Sequence, residues 1–288
     1  MSDLRKRLAQ ITSNKPVGNL APFSNRAAVD DLGRAFLFTP IDEVERLRKR
    51  KVIGTDTRHY SLTNMRTVPE LLGDVPRKLL GYVLMLQPHI EYGTNALIRG
   101  EGDDTRLRAA DFAKVWKVQR RAAIENVAEL ERLSIIFGNA DGTYTINERY
   151  HFRGKVRDET AEGAVIKTFF TAFKRFDLKP AEWGFVYSLL PFVHYESNVI
   201  CADPFEANPE NVRYLSEKQI AEKLQMDYRE ARRILKRLRD ARIATSTNIG
   251  DQRESLTQMN PFVFFRQAGY PSAALATPFL AEQYGGEK

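Results

Sequence analysis

Cysteine is almost missing: Cys201 is the only one in 288 residues. A single thiol closes no intrachain disulfide, and no thiolate cluster is available to hold zinc, which excludes a disulfide scaffold and a zinc module. Histidine is scarce as well. His59, His89, His151 and His194 stand apart, without H-x-H or H-E-x-x-H spacing, and that removes the usual patterns of metal-dependent nucleases and hydrolases. His194 and Cys201 lie seven positions apart, but two ligands do not make a closed metal site. There is no phosphate-binding glycine loop, since Gly154-Lys155 lacks both the preceding glycine and the following hydroxyl residue, and no G-x-S-x-G elbow. The sequence therefore predicts no catalytic residue, no metal, no cofactor and no enzyme. Long hydrophobic runs are missing too. None approaches the roughly 18 apolar residues of a membrane span, and the opening MSDLRKRLAQITSNK lacks the apolar core of a secretion signal. A cytoplasmic protein without a membrane partner is expected.

Negative charge is also in short supply, with 44 Lys and Arg against 37 Asp and Glu, for a net charge of +7. That balance implies an anionic partner without choosing among nucleic acid, acidic protein and membrane. Its distribution is more informative. Ser216 to Arg242 holds nine basic and five acidic residues, and residues 1 to 60 hold twelve and seven.

What is present is an internal repeat. LGYVLMLQPHIEYGTNALI (Leu80 to Ile98) matches WGFVYSLLPFVHYESNVIC (Trp183 to Cys201) at an offset of 103, with Gly81 on Gly184, Pro88 on Pro191, Tyr92 on Tyr195 and Asn95 on Asn198. Beyond a longer loop the offset becomes 108, placing Trp116 on Leu224, Ala123 on Ala231, Leu130 on Leu238 and Ile135 on Ile243. Asn147, Phe152 and Arg153 then match Asn260, Phe265 and Arg266. Each copy reads as a long apolar helix, a short helix, a tight turn, a second helix and two strands. That order predicts tandem winged helix-turn-helix units in a mainly α chain with small β wings, an α+β variant. The expected domains are an N-terminal basic arm (1–60), a first unit (61–155), a second unit (156–267) and a C-terminal tail (268–288).

The second copy carries the chemistry. In DYREARRILKRLRDAR, Asp227 to Arg242, the residues Ala231, Ile234, Leu235 and Leu238 share one helical face, and Arg229, Arg232, Arg233 and Lys236 share the opposite one. An apolar back with a cationic front is what a helix needs to enter the major groove of DNA. Ser216 with Gln219, and Asp227 with Glu230, predict a capping box at the start of each helix. Lys218, Tyr228 and Arg253 are placed to touch phosphates, Arg253 from a wing around Asn248 to Arg253. Arg237 and Arg239 sit towards the flank, where pairing with acidic neighbours competes with DNA contact.

In the first copy the positions matching the cationic face are Arg121, Ile124, Glu125 and Ala128. Only Arg120 and Arg121 remain to hold a phosphate at that helix's N-terminus, so a dimerisation or scaffolding role is expected. The helices there are expected at about Arg108 to Lys117 and Gln119 to Leu133. Val156 to Lys179 joins the copies, and Phe169, Phe170, Phe173 and Phe176 at helical spacing predict core. The segment before Arg46–Lys51 reads as a short helix (Asp3 to Ile11) followed by loop. RLRKRK itself reads as a solvated helix end or a nucleic-acid arm, and the tail as partly disordered.

LLPFVHYESNVICADPFEANPE, then SEKQIAEKLQMDYREARRILKRL and MNPFVFFR, resemble the winged-helix replication proteins of Gram-positive plasmids and phages, the RepL-like group. The tandem arrangement is similar to two-unit initiators of theta-replicating plasmids, and part of the pattern is shared with MarR-like regulators. The resemblance implies a sequence-specific double-stranded-DNA-binding protein, a replication initiator acting at origin repeats, with one unit dimerising and the other dominating origin binding. A homodimer and contacts to host replication or transcription proteins are also what the resemblance implies. Transcriptional regulation is the alternative, and a protein-interaction scaffold with a basic docking helix is the second.

Overall fold

The computed structural model describes residues 58–155, 164–247 and 255–280, together with strands at 21–24, 27–29 and 35–37. The chain divides into a compact unit Met1–Gly54 and a second, Thr55–Lys288. In the first unit, β1 (Ala21–Ser24), β2 (Ala27–Val29) and β3 (Ala35–Leu37) form an antiparallel sheet. The expected loop or arm is therefore partly strand, because short connections let neighbouring segments pair as hairpins. The helix expected at Asp3 to Ile11 and the basic run Arg46–Lys51 lie outside the described residues.

The expectation of a mainly α chain of tandem winged helix-turn-helix units is corrected by the second unit. Among the described residues, helix makes up 39% and strand 22%, a mixed α+β content with several small sheets. The largest is four-stranded, ordered β13 (Phe264–Phe265), β10 (Val165–Phe169), β4 (Tyr60–Asn64) and β9 (His151–Phe152). Its inner strands precede the matched helices, in segments where the two copies share too few residue identities to align. The joining segment VIKTF is therefore a buried strand, as its β-branched and aromatic residues favour once both faces are covered. Phe170–Phe173 form only one helical turn, so the phenylalanines are core, but not on the helix their spacing suggested.

The sheet reveals a pseudo-two-fold axis. Leu62 pairs with Lys167, and the flanking pairs Thr63–Ile166 and Ser61–Thr168 exchange under a shift of 105. The outer pairs Leu62–Phe152 and Lys167–Phe265 then correspond. Lys167 is buried at this axis, and its Nζ donates to the Gln267 carbonyl at 3.1 Å.

The matched helices are shorter than expected: α1 is Arg77–Met85 and α5 is Pro180–Leu189. Pro88 and Pro191 lie just beyond them in tighter 3-10 turns, because proline removes a donor that the α-helix requires. Helices α1 and α5 cross at their glycines. A Cβ on Gly81 would overlap the Pro180 carbonyl, and one on Gly184 the Arg77 carbonyl, so only glycine permits this approach. Left-handed residues recur at the repeat offsets: Asn95 and Asn198, Lys117 and Gln225, Ser134 and Arg242, with φ between 50° and 58° for the first four and 55° and 60° for the last two. The backbone repeat is thus real even where side chains diverge. Both copies share one hydrophobic core, from Met65 to Phe264, so Thr55–Lys288 packs as a whole rather than as beads on a linker.

The remaining helices are α2 (Phe112–Val115), α3 (Arg120–Arg132), α4 (Phe170–Phe173), α6 (Glu217–Lys223), α7 (Tyr228–Asp240) and α8 (Ala273–Leu280). The hairpins β7 (Ile136–Gly138) with β8 (Tyr144–Ile146), and β11 (Ala244–Thr247) with β12 (Leu256–Met259), follow α3 and α7. α2 is a single turn, much shorter than the helix expected from Arg108 to Lys117. The tail, expected to be partly disordered, contains α8.

Candidate nucleic-acid interface

Asp227 starts α7 by accepting a hydrogen bond from the Glu230 amide at 3.0 Å, which satisfies one of the amides left free in a first turn. The reciprocal half of the expected capping box is absent. The Glu230 carboxylate instead takes Arg77 of the first copy at 2.9 Å, a charged donor that outcompetes a neutral backbone amide. At the start of α6 the box is complete, with Ser216 and Gln219 satisfying each other's amides. Gln225, in the left-handed region, ends α6, and the Met226 amide closes the turn on Ala221. The two helices are therefore fixed by local chemistry before tertiary packing adds to it.

Ala231, Ile234, Leu235 and Leu238 are buried, as their spacing requires. The outer face is strongly basic: α7 contains six basic and two acidic residues, whereas α3 contains three of each. Ion pairs divide these cations into two sets. Glu217 is shared by Arg239, at 2.6 Å, and Arg232, at 3.8 Å. Arg237 lies 3.7 Å from Glu182. Arg229, Arg233 and Lys236, spaced i, i+4, i+7, are exposed and make no ion pair among the described residues. These three form a continuous stripe of accessible positive charge on a helix held rigid from behind. Tyr228 projects beside it at the first helical position, 41% exposed. Lys218 is exposed on α6, with only a 4.0 Å approach to Glu222. Arg253 lies outside the described residues, as does the hairpin tip around it.

Arg120 and Arg121 begin α3 and are exposed. Arg121 is engaged by Glu125 at 2.9 Å, one turn on. The first copy thus offers Arg120 as its one unengaged cation of that pair among the described residues, and next to it the exposed apolar Ile124. Phe137, on the following hairpin, is about half exposed.

Sequence reasoning missed the anchors of this surface. Glu217, Glu182 and Arg77 decide which guanidinium groups of α7 remain free, and two of the three come from outside the α6–α7 segment. No spacing rule connects Arg77 to Glu230, since their contact depends on the α1–α5 crossing.

The polar core adds no chemistry. His151 is buried between Thr63 Oγ1, at 3.2 Å, and the Tyr187 hydroxyl, at 2.7 Å, and burial lowers its pKa to about 3. Cys201 is buried and donates to carbonyls of Phe192 and Asp203, and burial pushes its thiol up to about 12, far from a reactive thiolate. His194 faces Ser197 and the Glu206 carbonyl. Among the described residues no three His, Cys, Asp or Glu side chains gather as a metal site, and no helix is long and apolar enough to cross a membrane. Comparison of the chain with protein-family models, curated proteins and solved structures finds no match.

Proposed function

We propose that the chain is a non-enzymatic, sequence-specific double-stranded-DNA-binding protein of a mobile element, acting in the cytoplasm as a replication initiator. The stripe Arg229, Arg233 and Lys236, without an ion pair among the described residues, on a buried-backed, capped helix carries the reading. Guanidinium groups in this setting make bidentate contacts to guanine edges, and lysine adds phosphate or base contacts. Arg232 joins them by exchanging Glu217 for DNA, while Lys218 and Tyr228 contact the backbone. In the first copy Arg120 and Arg121 hold a phosphate at most, and the apolar Ile124 and Phe137 favour self-association into a homodimer.

Selection of bound duplexes from a random pool tests the DNA reading. Enrichment of a defined site supports it, and failure to retard any duplex at low salt, where phosphate contacts are strongest, overturns it in favour of docking on an acidic protein. Transcriptional regulation shares the same α7 contact with DNA. A plasmid carrying the selected site that replicates only when the protein is supplied separates initiation from regulation.

A further inference from the structure

Arg58, Arg175 and Arg242 line an open concavity of about 500 Å³ together with Phe176, Phe262 and Tyr270. No carboxylate is among the described residues that line it. The volume falls within the roughly 300–1,000 Å³ of small-molecule sites. Its inner wall is packed core, with Phe169 and Val263 buried and Phe279 of α8 set against it. The mouth is different. Tyr270 is 67% exposed, and Arg175 is exposed as well. The tyrosine is held from one side: the Arg58 guanidinium lies 3.6 Å from the centre of the Phe169 ring and 4.6 Å from that of Tyr270. Arg58 Nη2 also donates to the Gly269 carbonyl at 3.0 Å. One face of the Tyr270 ring rests on this cation, and the other is open to solvent.

The pseudo-two-fold axis supplies the corresponding place in the first copy. The Phe169 amide donates to the Val263 carbonyl as the Asn64 amide does to that of Tyr150, and the Arg175 amide donates to Ala172 as the Glu70 amide does to Thr67. Arg175 therefore stands where the first copy has Glu70, and Phe262 where it has Arg149. In the first copy those two side chains close on each other, with Arg149 Nη2 donating to the Glu70 carboxylate oxygens at 2.7 and 2.6 Å. In the second copy a guanidinium replaces the carboxylate and a ring replaces the guanidinium. Arg175 makes no ion pair among the described residues. Apolar burial explains the docking of α8, and a single exposed tyrosine is ordinary. Neither explains a tyrosine ring immobilised on a cation in a concavity where the carboxylate of the other copy has become an arginine.

We infer that this concavity binds a nucleotide unit, with the base stacked on the open face of Tyr270 and a phosphate at Arg175. An aromatic face accepts any base, and a guanidinium forks onto phosphate oxygens, so the pair suits nucleotides with little base preference. Asn260 is the one amide side chain among the described lining residues. Its nitrogen donates to the Arg242 carbonyl and its oxygen accepts from the Phe262 amide, which leaves it unable to read a base edge. The ligand chemistry is that of a free nucleotide or of one residue in a single strand. This site does not rest on duplex reading by α7.

The test uses the full chain with two fluorescein-labelled probes, hexadeoxythymidylate and an abasic hexamer of the same charge, in anisotropy titrations over a salt series. The base-bearing hexamer should bind at least about fivefold more tightly, the lower end of what stacking on one ring contributes. Tyr270→Ala should abolish that difference at an unchanged thermal midpoint, and Tyr270→Trp should preserve it. Arg175→Ala should weaken both hexamers and flatten the slope of log K against log salt by about 0.7. Arg229→Ala/Arg233→Ala, on α7, should leave the difference between the hexamers intact, so failure of this site and failure of duplex reading are distinguishable. Displacement of the base-bearing hexamer by thymidine 5′-monophosphate assigns a free nucleotide, displacement by unlabelled hexamer alone assigns a strand, and either upholds the site. Equal affinity for the two hexamers, a difference that survives in Tyr270→Ala, or unaltered affinity in Arg175→Ala overturns the proposal.

Discussion

Arg229→Ala/Arg233→Ala is the most direct perturbation of the proposed reading surface. Both side chains are exposed and make no ion pair among the described residues, so their loss costs the fold little, within about 0.5 kcal/mol per site. Alanine also favours the helix slightly. The thermal midpoint should therefore stay where it is. Binding should not. A bidentate contact to a base edge is worth about 1–3 kcal/mol, so loss of two costs about 2–6 kcal/mol, or roughly 30-fold to 10⁴-fold in affinity at matched salt. If either residue touches phosphate instead, affinity falls evenly across sequences and the slope of log K against log salt flattens by about 0.9 per lost contact. Fluorescence anisotropy of the selected duplex and a scrambled duplex, each measured over a salt series, separates base readout from backbone contact. Affinity for the selected duplex within twofold of the unsubstituted protein, at a salt concentration where that protein is specific, would refute α7 as the reading helix.

Glu217→Gln removes the carboxylate shared by Arg232 and Arg239; DNA affinity should rise severalfold and its salt slope steepen, and weaker binding in the same titration counts against Arg232 as a contact. Gly184→Ala places a methyl group on the Arg77 carbonyl; overpacking of this kind costs about 1–3 kcal/mol or more, which calorimetry should show as a fall of about 2–12 °C. A fall under 2 °C would mean that the α1–α5 crossing is not tight. Asp227→Ala removes the N-cap of α7 and should cost about 1 kcal/mol in urea unfolding. His151 is held neutral by burial, with its pKa lowered to about 3, against about 6.5 in an unfolded chain. The unfolded state therefore binds more protons below that value, and the stability present above pH 6.5 is lost as pH falls towards 3. Between pH 7 and pH 5 the loss is about 2 kcal/mol from this one group. The difference in urea stability between those pH values should shrink by that amount in His151→Gln, and an unchanged difference excludes His151 as its source.

The repeat was legible because backbone demands leave marks in sequence. The matched Gly81 and Gly184 are the helix crossing, and the matched Asn95 and Asn198 are left-handed positions. The buried face of α7 was legible for the same reason, since 3.6-residue periodicity is a local property. The four-stranded sheet was not. Its inner strands are five residues long, one of them carries a buried lysine, and both are buried from pairing with segments about a hundred positions away. Short apolar runs of that kind have no period that distinguishes strand from helix. The phenylalanines of the joining segment show the ambiguity: their burial followed from composition, but their conformation did not.

At the candidate site, the sequence alone determined that α7 is a capped amphipathic helix with an excess of positive charge on one face, because caps and periodicity act within a few residues. Only the tertiary structure decided which of those charges are free. Glu217 draws Arg232 and Arg239 aside, Glu182 lies near Arg237, and Arg77 occupies the Glu230 that would have completed the cap. Side chains distant in sequence meet through the glycine crossing and the pseudo-two-fold sheet, and electrostatic partners are chosen by distance in space, which no local spacing encodes.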